Sequence, residues 1–263
     1  MRIALPAGVS PWDAAVVLML GILGILYIAG SRVLAARGAH VRRWEPLFFW
    51  AGWLALVISV VPPLDRDAAH TLSAHMLQHQ LMMVVGGPLV AAGRPMIPVL
   101  WALPAVIRAA PWWRAQPSVM LAAALHAIAV WIWHVPVLYE AAVLNEGVHA
   151  VQHASFVFTA GLFWWTLIYG RYGRAAYGAS ALYVFVTMVH TGVLGALFAL
   201  SGSPFYALYA QRAAAAGVDP TSDQQLAGLY MWIPTGVVLT MAGLALVFTW
   251  IRESGRRSTV RAA

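Results

Sequence analysis

Two pairs of histidines spaced four residues apart, His75 with His79 and His149 with His153, carry the clearest chemical signal in this chain. On a helix, side chains at i and i+4 project from one face and can share a metal ion. The first pair opens HTLSAHMLQHQLMMVVGGPLVAAGRP (70–95), an apolar run long enough to cross a bilayer. At about 100° per residue, His75, His79 and Met82 fall within a sector of about 60°. Glu146 shares the face of the second pair and could orient a ligand imidazole. His134, Met82 and Asp223, at the head of the last apolar segment, are supplementary candidates. His79, His126, His153 and His190 could form a deeper tier. Polar groups inside a membrane segment are costly and need partners, so these side chains should face a bundle interior.

The chain has no cysteine, which excludes disulfides, thiolate sites and iron–sulfur clusters. Histidine with optional methionine suits copper on softness grounds, and histidine with carboxylate also accepts zinc. A bis-histidine haem needs ligands facing across a bundle, which this chain could also supply. Spacing leaves the three open. A lone histidine in a membrane helix commonly serves as an interhelical hydrogen bonder, the plain reading of His126 and His40. Met82 and Met83 also suit core filling. His134, within WIWHVP, sits where Trp131 and Trp133 fit an interfacial aromatic belt. No nucleophile–base–acid arrangement is visible, so no enzyme is expected.

The elements that must position these residues are membrane helices. Of 263 residues, 62% are hydrophobic and 10% charged, far below the roughly 25% charged residues of soluble domains. A single all-α integral membrane domain (1–263) is expected. Its seven transmembrane segments run near 12–30, 44–61, 72–92, 118–135, 148–169, 180–201 and 225–250. The first is expected to be a retained helix rather than a cleaved signal, because Asp13 precedes it and arginines follow it. Gly86, Gly87 and Pro88 should kink or thin the third, and Pro234 the seventh. All 16 basic residues are arginine, and thirteen of them fall in alternate loops and the C-terminal tail. The positive-inside rule then places the N-terminus outside and the C-terminus in the cytoplasm. It puts every histidine except His40 in the outer half or near the midplane. The net charge of +7 therefore reports topology, not nucleic-acid binding. Loop 93–117, with Trp101, Trp112 and Trp113, should lie in the inner interface. Loop 202–224 is the least hydrophobic stretch and is expected to be mobile. No internal repeat is evident.

Four stretches, HMLQHQLMMVVGGPL (75–89), WHVPVLYEAAVLNEGVHAVQHASF (133–156), MVHTGVLGALFALSGSPFYALY (188–209) and DQQLAGLYMWIPTG (223–236), resemble the CtaG family. This family comprises multi-span cytochrome c oxidase assembly factors of bacterial plasma membranes. The resemblance covers most of 72–236. It implies a non-catalytic chaperone that binds copper, as Cu(I), and delivers it to, or retains it for, a nascent haem-copper oxidase subunit. A copper-donor protein and the lipid bilayer are further implied partners. The motif residues that it carries over as metal ligands are His75, His79, His134, His149, His153 and His190, with Asp223. A membrane haem protein moving electrons, a metal permease, and a scaffold whose histidines only tie helices together are the alternatives.

Overall fold

The computed structural model describes residues 11–39, 42–109, 117–170 and 174–262. His40, Trp112, Trp113, Arg2, Arg114 and Arg171 lie outside the described residues. The described residues form helices and connections with no strand, as an all-α chain requires. In chain order the helices are α1 (Pro11–Ala36), α2 (Trp44–Val60), α3 (Leu64–Ala68), α4 (Leu72–Gln80), a π-helical stretch (Leu81–Gly86) and α5 (Gly87–Ala92). Then follow α6 (Met96–Ala102), α7 (Ala105–Ala109), α8 (Val119–Trp133), α9 (Pro136–Leu144), α10 (Glu146–Tyr169), α11 (Arg174–Leu200), α12 (Ala207–Ala215) and α13 (Pro220–Ala262).

All seven expected apolar segments are helical, but they are not equally long or apolar. Ala14–Ala36, Tyr177–Leu200 and Pro220–Ser254 are each sufficient to cross a membrane. Two bent pairs raise this to five if each is one span: Leu72–Ala92 with Met96–Ala102, bent by 66°, and Val119–Trp133 with Pro136–Leu144, bent by 76°. The remaining two differ for visible reasons. α2 has only 17 residues, and α10 carries Glu146, His149, Gln152 and His153 in its first two turns.

The glycine–proline signal in the third segment produces a widening instead of a sharp kink. Pro88 has no N–H for the Val84 carbonyl, and its ring crowds that oxygen. The helix accommodates this by running as a π-helix over Leu81–Gly86 before Gly87. The widened turn frees the Met83 carbonyl, which accepts a hydrogen bond from Trp164 Nε1 at 3.2 Å. α13 runs through Pro234 as one element.

At the C-terminal end of α5, opposite the histidines of α4, the Tyr27 and Tyr169 hydroxyls donate to the Gly93 and Ala92 carbonyls at 3.3 and 2.7 Å. Arg94, in a left-handed conformation (φ 48°), pairs with buried Glu45 at 3.6 Å. α11 and α13 pack most intimately, through Gly195 and Gly228. A Cβ on Gly228 would lie 2.6 Å from the Gly195 carbonyl oxygen and overlap the Ala199 backbone.

Gly228→Val should therefore destabilise the protein by roughly 1–3 kcal/mol through overpacking, seen as a lower thermal midpoint in detergent. Gly236→Ala, on the same helix with open space at the new Cβ, should leave the midpoint unchanged or slightly raised. Equal effects would mean that α11 and α13 do not meet at Gly228.

Candidate metal centre

α4 starts without a cap of its own, since the Thr71 side chain makes no capping bond. Asp223, from the first turn of α13, supplies it. One carboxylate oxygen accepts from the Leu72 amide at 2.7 Å, the other from the Ser73 amide at 3.1 Å. A carboxylate at a helix N-terminus satisfies orphan N–H groups and complements the helix dipole. Both oxygens of Asp223 are thereby engaged, and its role here is to hold α4. α10 is capped locally by the Asn145 side chain, which accepts from the Val148 amide at 3.1 Å. These two starts set His75 and His149 within the first turns of neighbouring helices.

Among the described residues, one group has the geometry to hold a metal ion: the ligand atoms of His75, His79 and His149 lie within 4.8 Å of one another. Three bonds of about 2 Å to one ion span edges of about 3.5 Å. The widest edge exceeds this by little more than 1 Å, which imidazole rotation can close. His153 stands alongside, its ring 4.0 Å from that of His149 and 5.3 Å from that of His79. His75 and His79 are 2% and 1% exposed.

The tautomer of His75 follows from its neighbours. Tyr209 donates its only hydroxyl proton to the Ala68 carbonyl at 2.6 Å, and burial pushes its phenol pKa up, so it stays protonated. Its oxygen, 2.9 Å from His75 Nδ1, must then accept from Nδ1–H. That leaves Nε2 with a lone pair and no hydrogen-bond partner among the described residues. A hydrogen bond on one ring nitrogen that presents the other is the usual support of a metal-binding imidazole. Tyr206 reinforces the same roof. Its hydroxyl donates to the His134 carbonyl at 2.9 Å, and its ring stacks on Tyr139 at 3.9 Å. Beside the triad lies a cavity of about 200 Å³, with Asp65, Glu146 and Arg212 among its lining residues.

The structure separates the remaining candidates. His134 donates Nδ1–H to the Val130 carbonyl and exposes Nε2 to a smaller, deeper cavity. His126 bonds Thr159 Oγ1 at 3.1 Å, joining α8 to α10 as an interhelical hydrogen bonder. His190 accepts from Trp131 Nε1 at 3.2 Å on Nδ1, so its neutral ring presents an N–H, not a lone pair. Trp133 likewise bonds inward, to Ser155 Oγ at 2.8 Å. Met82, which a uniform helical period would align with His75 and His79, lines neither of the cavities that those two side chains line. It lines an apolar groove alongside residues of α1, α2 and α10.

Tyr206 and Tyr209 were not among the sequence candidates, because loop 202–224 reads as polar. It folds instead, with α12 at its centre. The available signal was the spacing of Tyr206, Tyr209 and Ala213, three and then four residues apart, all of which are buried.

A family model described as cytochrome c oxidase caa3 assembly factor (Caa3_CtaG) matches residues 25–253. The match extends beyond the four resembling stretches to include α2 and part of α1. No curated protein and no solved structure matches the chain.

Tyr209→Phe should lower affinity for Cu(I) or Zn(II) at the triad by roughly 10–100-fold with helix content unchanged. Competition against a chelator measures this. Unchanged affinity would mean that Tyr209 does not orient His75.

Proposed function

We propose a copper-holding role for this chain on one premise: it belongs to the family of cytochrome c oxidase caa3 assembly factors. In this reading it binds copper, as Cu(I), at His75, His79 and His149, with His153 available for exchange. It then delivers the ion to, or retains it for, a nascent haem-copper oxidase subunit in the bacterial plasma membrane. The observation that carries the reading is the convergence of three ligand nitrogens within 4.8 Å on two helices. An all-imidazole set with no thiolate accepts copper and exchanges it by ligand replacement, without redox chemistry. Size favours an ion over a haem. The adjoining cavity of about 200 Å³ is smaller than the roughly 300–1,000 Å³ of pockets that take drug-sized ligands. The role is that of a carrier, and no catalytic step is assigned.

The same reading takes α1, α2, the α4–α5 rod, α8, α10, α11 and α13 as seven spans, with the N-terminus outside and the C-terminus cytoplasmic. α3, α9 and α12 then lie on the outer face. Tyr209 of α12 bonds Ala68 of α3, and Tyr206, which caps α12, stacks on Tyr139 of α9. The positive-inside distribution of arginine supports this orientation.

Two measurements test the proposal. Protein purified anaerobically, without chelator or histidine tag, should contain at least one copper per chain, and His75→Ala/His149→Ala should contain one fewer. Cells carrying that variant should accumulate copper-deficient oxidase. A Soret band in the wild type would point to haem instead, and equal copper in both proteins would remove the triad as the site. Topology is readable because the chain has no cysteine. Ala215→Cys should react with a membrane-impermeant maleimide on intact cells, and Ala39→Cys only after lysis. The opposite pattern would invert the orientation.

A further inference from the structure

Behind the triad lies a second, smaller cavity of about 40 Å³, lined by residues of α4, the π-helical stretch, α8, α10, α11 and α13. Its lining includes three buried thioethers, Met76, Met83 and Met231, each on a different element. Methionine alone is an ordinary gap filler. The histidines on the same wall are not. His134, fixed by the Val130 carbonyl, presents an Nε2 lone pair with no partner among the described residues. His79 also lines this cavity, and neither of its ring nitrogens has a partner among the described residues. Buried polar atoms are almost always satisfied, so two imidazoles with unpartnered nitrogens on one wall point to a missing occupant.

The dimensions and chemistry restrict that occupant. A water needs about 10–15 Å³ of such space, so the cavity admits one bare ion or about three waters, and not a fully hydrated cation. No Asp or Glu lines it. A divalent ion would therefore sit in an apolar interior without a counter-charge, whereas a monovalent ion carries a smaller penalty. Thioether and imidazole donors suit soft monovalent ions and poorly match hard ones. His79 belongs to the outer triad and to this wall at once, so it stands between the two.

We infer that this inner cavity is a second metal site, taking Cu(I) or a like monovalent soft cation on thioether and imidazole donors and communicating with the outer triad through His79. Met76, His79 and Met83 reach it from one face of the chain, at i, i+3 and i+7, while Met82 lines the apolar groove. The inner site does not require the triad to be a copper site, since its donors are separate apart from His79.

The test is X-ray absorption and ion counting on the full-length protein in detergent, loaded anaerobically with Cu(I) and, separately, with Ag(I) and Zn(II). The wild type should bind two Cu(I), one of them with sulfur in its coordination shell, and no more than one Zn(II). Met76→Leu/Met231→Leu should lose the sulfur-bound Cu(I) and Ag(I) and keep the Zn(II). His75→Ala/His149→Ala should keep the sulfur-bound ion and lose the other. If the methionine variant fails to fold, His134→Gln replaces it and should weaken the sulfur-bound ion at least tenfold. A wild-type spectrum with nitrogen scatterers alone would overturn the inference and leave a water-filled void. Sulfur-bound copper without the nitrogen-only ion would uphold it while removing the triad reading.

Discussion

The Asp223 carboxylate joins two helices whose sequences are far apart. Its bonds to the Leu72 and Ser73 amides span 151 and 150 positions, and they complete an N-terminus that its own preceding residue leaves open. A partly buried helix start without acceptors carries a penalty of about 1–3 kcal/mol per unsatisfied group, so α4 depends on α13 for its position. His75 lies within the first turn after that cap and His79 one turn further. The imidazole geometry is thus set by a carboxylate that touches none of the imidazoles.

Burying so many imidazoles constrains the rest of the interior. Each needs a hydrogen-bond partner or a ligand, and the neighbouring groups divide them. Carbonyl and hydroxyl acceptors on His75, His134 and His126 take Nδ1–H, whereas the indole of Trp131 donates to Nδ1 of His190. The residue type is the same throughout, but the donor or acceptor beside each ring decides whether it offers a lone pair. His75 and His134 do, and they face different cavities. His190 does not while its bond to Trp131 holds.

The helical class, the apolar segments and the two HxxxH pairs were legible because each rests on local periodicity. What the sequence hid depends on contacts between distant residues. Asp223 looks like a ligand at the head of a helix until its two amide partners, 150 positions upstream, are seen. Met82 aligns with His75 and His79 only on a helix of uniform pitch, and Pro88 spoils that uniformity from six residues away. Loop 202–224 reads as mobile from composition. Its tyrosines find the Ala68 carbonyl, His75 and Tyr139 only in the folded chain. α2 and α10 show the limit in the other direction: one is short, the other is interrupted by the polar residues that build the site, so neither has the full length and apolarity of a free-standing span.

Tyr209 links two events that are usually separate. Its hydroxyl fastens α12 to Ala68 and, with the same oxygen, sets the proton on His75. The seating of this small surface helix and the basicity of the buried ring are therefore one equilibrium. By linkage, whatever free energy a seated α12 adds to an ion held at His75, the ion returns in full to the seating of α12.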